Sequence, residues 1–156
     1  MIVDNMKDIH IILAEIIDAA KECGKIMLLA DRNDLKIKDK AGKANFVTEY
    51  DCKIQKIIEK KLADILPNAQ FLGEEEDCKI DKNAEYIFVV DPVDGTTNFI
   101  KDYHMSCISI GLIRNGKRYL GVVHNPYLNE TYHAISGEGA YLNGNRIHVS
   151  DDDLEN

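Results

Sequence analysis

Apolar residues Ile9, Ile12, Leu13, Ile16, Ile17 and Ala20 recur at three- and four-residue intervals behind Asp4 and Asn5, either of which suits a helix N-cap. The spacing predicts a long amphipathic helix running to about Ala30. A short strand over Leu35 to Lys38 is expected next, and the polar stretch Lys40 to Asn45, which contains Gly42, is expected to be a mobile loop. Thr48 with Asp51 three residues later has the form of a capping box. Behind it Ile54, Ile57, Ile58, Leu62 and Ile65 lay an apolar face along a second helix, which Pro67 ends.

After Pro67 the period changes. Gln70 to Gly73 and Tyr86 to Asp91 read as strands, and the run Tyr86-Ile87-Phe88-Val89-Val90 is apolar throughout, which predicts burial on both faces. Ser106 to Ile113 and Arg118 to Asn125 flank Asn115-Gly116, a strong hairpin signal, and Glu130 to Ile135 continues the meander. Gly137, Gly139 and Asn143-Gly144 punctuate two further short strands. Two helices followed by a mostly antiparallel sheet make an α+β chain, with both helices on one face. Ser150 followed by Asp151, Asp152 and Asp153 has the composition of a helix N-terminus, so a further helix is expected to begin where the chain stops.

A length of 156 residues and 45% hydrophobic content suit a single globular domain, and no linker or repeat divides the chain. The net charge of −8, with lysines scattered and tryptophan absent, gives a nucleic-acid partner little support, and none is expected. A small anionic substrate fits only if a metal ion supplies the positive charge. Cys23, Cys52, Cys78 and Cys107 form no Cys-x-x-Cys pair, so zinc is not expected and each thiol is read as a small buried hydrophobe. No stretch has the length of a membrane span and Met1 to Lys7 has no signal-peptide pattern, which points to a cytoplasmic protein with no membrane partner. His104, His124 and His133 fall in or beside the sheet and are read as structural or exposed.

Two acidic clusters stand at strand ends. Gly73-Glu74-Glu75-Glu76 follows the first strand after Pro67, and Asp91-Pro92-Val93-Asp94-Gly95-Thr96-Thr97-Asn98-Phe99 follows the second. If the two strands are neighbours the clusters converge, and carboxylates packed together call for a hard divalent cation with oxygen ligands. Magnesium suits a cluster without sulfur or imidazole. Pro92 fixes the turn that returns Asp94 and the Val93 carbonyl toward Asp91. Gly95 permits close backbone approach, and Thr96 to Ile100 begins a helical turn whose free amides favour an anion. The Thr96 hydroxyl is able to bond a water whose proton passes to a carboxylate such as Asp51, with no enzyme nucleophile required. Taken singly these features have plainer readings: Asp-Pro and Asp-Gly are turn dipeptides, the glutamate run is a solvated loop, and Asp51 is a cap. Their ordered combination is what points to chemistry. The acidic stretch does not follow EF-hand spacing.

Gly73-Glu74-Glu75, then Asp91 to Phe99, then Gly137-Glu138-Gly139-Ala140-Tyr141-Leu142-Asn143-Gly144 resemble the inositol monophosphatase family along essentially the whole chain. The resemblance implies the first half of a layered αβαβα sandwich, with two long helices on a mostly antiparallel sheet, that is, an N-terminal metal-binding domain over 1–156. It implies that Glu74, Asp91 and the Val93 carbonyl hold one Mg2+ and that Asp91 with Asp94 holds a second. Thr96 and Asp51 match the water-activating pair, Glu75 the further carboxylate of the Gly-Glu-Glu motif, and Lys40 the mobile loop. Glu74, Val93, Asp94, Gly95 and Thr96 also fall where substrate binds.

The implied reaction is magnesium-dependent hydrolysis of a small phosphate monoester, inositol monophosphate first, in a protein that is a homodimer when full length. Fructose-1,6-bisphosphate or a nucleotide 3′-phosphate is the alternative substrate. Relatives supply another metal-binding aspartate from a Trp-Asp motif in their second half, and this sequence has no tryptophan. The chain is therefore expected to be a fragment of a longer enzyme, with a non-catalytic truncated paralogue as the competing reading.

Overall fold

The computed structural model describes residues 8–39, 46–75 and 79–150. Helix α1 spans Ile9–Leu28 and is capped by Asp8, whose carboxylate accepts the His10 amide at 2.7 Å. Asp4 and Asn5, the caps expected from sequence, lie outside the described residues; Asp8 serves because it immediately precedes the first apolar position, Ile9. The buried stripe comprises Ile12, Leu13, Ile16, Ala19, Ala20, Cys23 and Met27. The helix ends short of Ala30, and the Arg32 guanidinium bonds Met27 O in its last turn at 3.0 Å and Ala30 O just beyond it at 2.7 Å.

A 3-10 turn over Arg32–Asp34 leads into strand β1, Ile37–Asp39, which pairs antiparallel with β2, Phe46–Thr48. The strand thus falls about two residues later than the apolar pattern placed it, and its partner β2 carried no clear sequence signal because three residues are too few to show alternation. The expected loop, with Lys40, lies outside the described residues. Helix α2, Glu49–Ile65, opens with the capping box foreseen: the Tyr50 amide donates to Thr48 Oγ1 at 3.2 Å and the Thr48 amide to Asp51 Oδ2 at 2.8 Å.

The main sheet has seven strands in sequential order. Strand β3, Gln70–Gly73, lies parallel to β4, Tyr86–Asp94, and the remainder is an antiparallel meander: β5, Cys107–Arg114; β6, Lys117–Asn125; β7, Glu130–Ile135; β8, Gly139–Leu142; β9, Asn145–Ile147. Asn115 and Gly116 both take positive φ, 49° and 72°, the conformation a two-residue hairpin turn requires.

Both long helices pack on one face, α1 against β5 and β6 and α2 against β4. Between helices and sheet lie Ile16, Met27, Ile54, Ile58, Leu62, Phe88, Ile108, Ile110 and Leu112. The opposite face is less covered. The β4 run is buried on both sides as expected except at Val89, which is 37% exposed on the face the helices do not cover, although Ile87 on that same face is buried. Beside Val89 runs a cross-strand row of small residues, Gly111, Gly121 and Ala134, in direct register, flooring an apolar groove of about 650 Å³.

Cys23 is buried as expected, but Cys52 is exposed because it falls off the apolar stripe of α2, and Cys107 is half-buried. Cys78 lies outside the described residues, as do Asp151 to Asp153, where a helix start was expected. Among the described residues no helix is long and apolar enough to cross a membrane.

Candidate active site at the ends of β3 and β4

Because β3 and β4 are parallel neighbours with Gly73 opposite Val90, the chain leaves both strands at the same end of the sheet. The Glu74 amide donates to Val90 O at 3.0 Å and extends the pairing one residue beyond β3. The two acidic clusters therefore meet, as the sequence suggested they would if the strands were neighbours. Burial raises the Asp91 carboxyl, and the Glu74 carboxyl beside it, by repulsion and a shared hydrogen bond, raises it further. Asp94 adds to the repulsion and only the Val93 amide, 3.1 Å from Oδ1, opposes; Asp91 is pushed from 3.8 up to about 7. This is the electrostatic signature of carboxylates held together without a countercharge.

Past Asp91 the ladder to β5 slips: Asp91 pairs with Ser109 but Asp94 pairs with Cys107, so β4 carries an extra residue. Pro92, which has no amide to give the ladder, sits in this bulge. The bulge returns Asp94 and the Val93 carbonyl to the same end of the strand. Gly95 then turns the chain with φ 89°, and a Cβ there would meet Met105 O at 3.0 Å, so both conformation and space demand glycine. Helix α3, Thr96–Ile100, follows at once.

The Thr96 hydroxyl lies 3.0 Å from Asp51 Oδ1 and 3.1 Å from Val93 O. Asp51 is fully buried, and its other oxygen accepts from both the amide and the hydroxyl of Thr48. Its cap role and its contact with Thr96 are thus simultaneous, which sequence reasoning had set against each other. Glu75, the further carboxylate of the Gly-Glu-Glu motif, is fixed through its backbone: its amide donates to Gln55 Oε1 at 3.0 Å.

Oxygen donors suit a hard cation, and the mutual repulsion around Asp91 is what such a cation relieves. Among the described residues no three His, Cys, Asp or Glu side chains close on one point as a complete cage. A cation here would rest on the Glu74 and Asp91 pair and draw further oxygens from water or a phosphate. Cys107 Sγ is 3.8 Å from Asp94 Oδ2, and burial, with the carboxylates at Asp94 and Asp91, pushes its thiol up to about 12 in the metal-free site.

Two contributors escaped the sequence reading. Gln55 is one: a buried amide in the apolar stripe of α2, visible only as a polar break between Ile54 and Ile58. Arg32 is the other. Its guanidinium stacks 4.9 Å from the ring centroid of fully buried Phe99 in α3, bonds Tyr127 Oη at 2.9 Å and pairs with Asp102 at 3.2 Å, so it ties the helix after Gly95 to the end of α1. Those partners are far apart in sequence and leave no local signal. The histidines stay out of the site: His124 is buried with Nδ1 3.0 Å from Thr131 Oγ1, His104 stacks on Tyr127 and His133 on Tyr141.

The chain has known relatives. The chain is 46% identical over 114 residues to inositol monophosphatase 2 of Saccharomyces cerevisiae, an alignment covering 72% of this chain and 39% of that protein. The crystal structure of the extragenic suppressor protein SuhB from Bartonella henselae superimposes with a TM-score of 0.85 and 33% identity, over 90% of this chain and 55% of that one. An inositol monophosphatase/NADP phosphatase complexed with NADP and Ca2+ gives a TM-score of 0.84 at 28% identity, over 92% and 55%. The chain thus spans about half the length of the relatives it matches. With the acidic strand ends, the Gly95 turn and the Asp51–Thr96 contact in place, and the family model of the inositol monophosphatases matching residues 8–156, the chain belongs to the inositol monophosphatase family.

Proposed function

We propose that this chain is the N-terminal, metal-binding half of a magnesium-dependent phosphatase that hydrolyses a small phosphate monoester, inositol monophosphate first, by attack of water. The observation that carries the reading is the contact of the Thr96 hydroxyl with fully buried Asp51. Asp51 has no exposed surface of its own, so a water proton reaches it through Thr96. Thr96 Oγ1 accepts the proton as its own passes to Asp51 Oδ1, 3.0 Å away.

Glu74, Asp91 and Val93 O are assigned to one Mg2+ and Asp91 with Asp94 to a second, and Glu75 completes the acidic rim. Bound there, the cations supply Lewis acidity to the attacking water and to the phosphate. Gly95 brings backbone close to the phosphate, and Glu74, Val93, Asp94 and Thr96 border the space it would fill. The support is the oxygen-only donor set and the strain around Asp91, together with relatives named as inositol monophosphatases.

The apolar groove over Gly111, Gly121 and Ala134 supports a second half packing on the open sheet face. We take the complete protein to be a cytoplasmic homodimer. A nucleotide phosphate is the second substrate class, on the strength of the relative named as an inositol monophosphatase/NADP phosphatase. The test is phosphate release from inositol 1-phosphate, fructose 1,6-bisphosphate and NADP, with and without Mg2+, by residues 1–156 alone and joined to the second half of a full-length relative. Mg2+-dependent turnover of inositol 1-phosphate by the joined protein, with little by residues 1–156 alone, is expected. Full turnover by residues 1–156 alone would overturn the half-site reading, and no turnover of any of the three substrates by the joined protein would overturn the activity.

A further inference from the structure

Resting on the cation reading above, we propose that Gln55 is a positioning residue that aims Glu74 at the metal site. Gln55 is 1% exposed and sits between Ile54 and Ile58 in the apolar stripe of α2, where its amide is costly unless it is hydrogen-bonded. The Glu75 amide supplies a bond, at 3.0 Å to Oε1. Gly73 makes room for it. A Cβ at Gly73 would lie 2.3 Å from Gln55 Oε1 and 2.4 Å from Cδ, so the side-chain amide lies against bare backbone. Gly73 is absent from the residues with positive φ, and its need for glycine therefore comes from this close approach and not from its conformation.

Gln55 thus holds the residues on both sides of Glu74, while the amide of Glu74 itself is tied to Val90 O at 3.0 Å. With Gly73, Glu74 and Glu75 all fixed, the Glu74 side chain is directed to Asp91, whose carboxyl it contacts. One helical turn back on the same face of α2 is Asp51, which holds Thr96. A single turn of α2 therefore sets the relative position of the two loops that form the site.

The test is Mn2+ titration of the 156-residue chain by electron paramagnetic resonance, with hydrogen exchange of the Glu75 amide and thermal melts measured on the same variants. Gln55→Leu removes the acceptor, Gly73→Ala pushes the amide aside, and Gln55→Glu keeps the acceptor. Gln55→Leu and Gly73→Ala should weaken Mn2+ binding by about 10–100-fold and speed Glu75 exchange, while Gln55→Glu stays within about threefold, as expected where a hydrogen-bond partner orients a metal ligand. Unchanged Mn2+ affinity in Gln55→Leu, or in Gly73→Ala should Gln55→Leu not fold, would overturn the proposal. So would an equal loss in Gln55→Glu, since fold stability and not the acceptor would then be responsible. Glu74→Gln and Asp91→Asn separate the two levels: if both bind Mn2+ like the unmodified chain, the cation reading itself falls, and if both weaken while Gln55→Leu does not, only the role of Gln55 falls.

Discussion

Replacing Asp91 by Asn should make the metal-free chain more stable while destroying its ability to hold a cation. The carboxyl has an ordinary value of 3.8 and is pushed up to about 7 in the fold, by burial first and by Glu74 next. A group raised in this way stabilises the fold fully only while protonated, below 3.8, and that contribution is lost progressively as the pH climbs to 7. A fully sequestered carboxyl would lose about 1.4 kcal/mol per pH unit over this window. Asp91 is only half-buried and shares its proton with Glu74, so water screening and coupling reduce the total to about 1–2 kcal/mol. Asn keeps an oxygen for the Val93 amide and gives Glu74 a donor, as protonated Asp does, and it never ionises. In EDTA at pH 8 the substitution should therefore raise Tm by about 2–8 °C in a chain of this size, and near pH 4 the difference should vanish. Melts followed by circular dichroism at both pH values measure it. A lower Tm for Asp91→Asn at pH 8, or a gain of equal size at pH 4, would refute the electrostatic account of the site.

Thr96→Ala should leave Mn2+ affinity within a few-fold while lowering phosphate release in the joined, full-length protein by roughly 10²-fold or more, because a proton-transfer group is lost and no ligand is. A parallel collapse of metal affinity would make Thr96 a ligand or a structural residue instead. Gly24→Ala should destabilise the fold by about 1–3 kcal/mol through overpacking. The added methyl would lie 2.8 Å from His124 Cδ2, and that ring is buried and held by Thr131, so it has little room to move. Urea unfolding monitored at the tyrosines reads this change, and an unchanged midpoint would show that α1 shifts on β6 freely.

The parts of this fold that sequence displayed are those governed by local periodicity and turn chemistry. The stripe from Ile54 to Ile65, the Thr48–Asp51 box and the Asn115-Gly116 hairpin each carry their cause within a few residues, and each appears where the pattern put it. The convergence of Glu74 with Asp91 depends on β3 and β4 being neighbours, which no local pattern states; it was legible only as a condition, and the parallel pairing fulfils it. What stayed hidden depends on contacts between distant residues. Nothing near Arg32 announces Tyr127 or Phe99, and nothing near Gly73 announces that its missing Cβ is filled by Gln55 from α2. The exposure of Val89 was misjudged for a related reason: an apolar run shows that a strand is suited to burial, and only the placement of the helices decides which face is covered.

The central claim is that Glu74, Asp91 and the Val93 carbonyl form a site for a hard divalent cation, and crystals of this chain soaked in Mn2+ test it most directly. Anomalous scattering should show a peak within coordination distance of carboxylate oxygens of Glu74 and Asp91 and of Val93 O. A peak at other carboxylates, or none beside Asp91 at saturating Mn2+, would contradict the account.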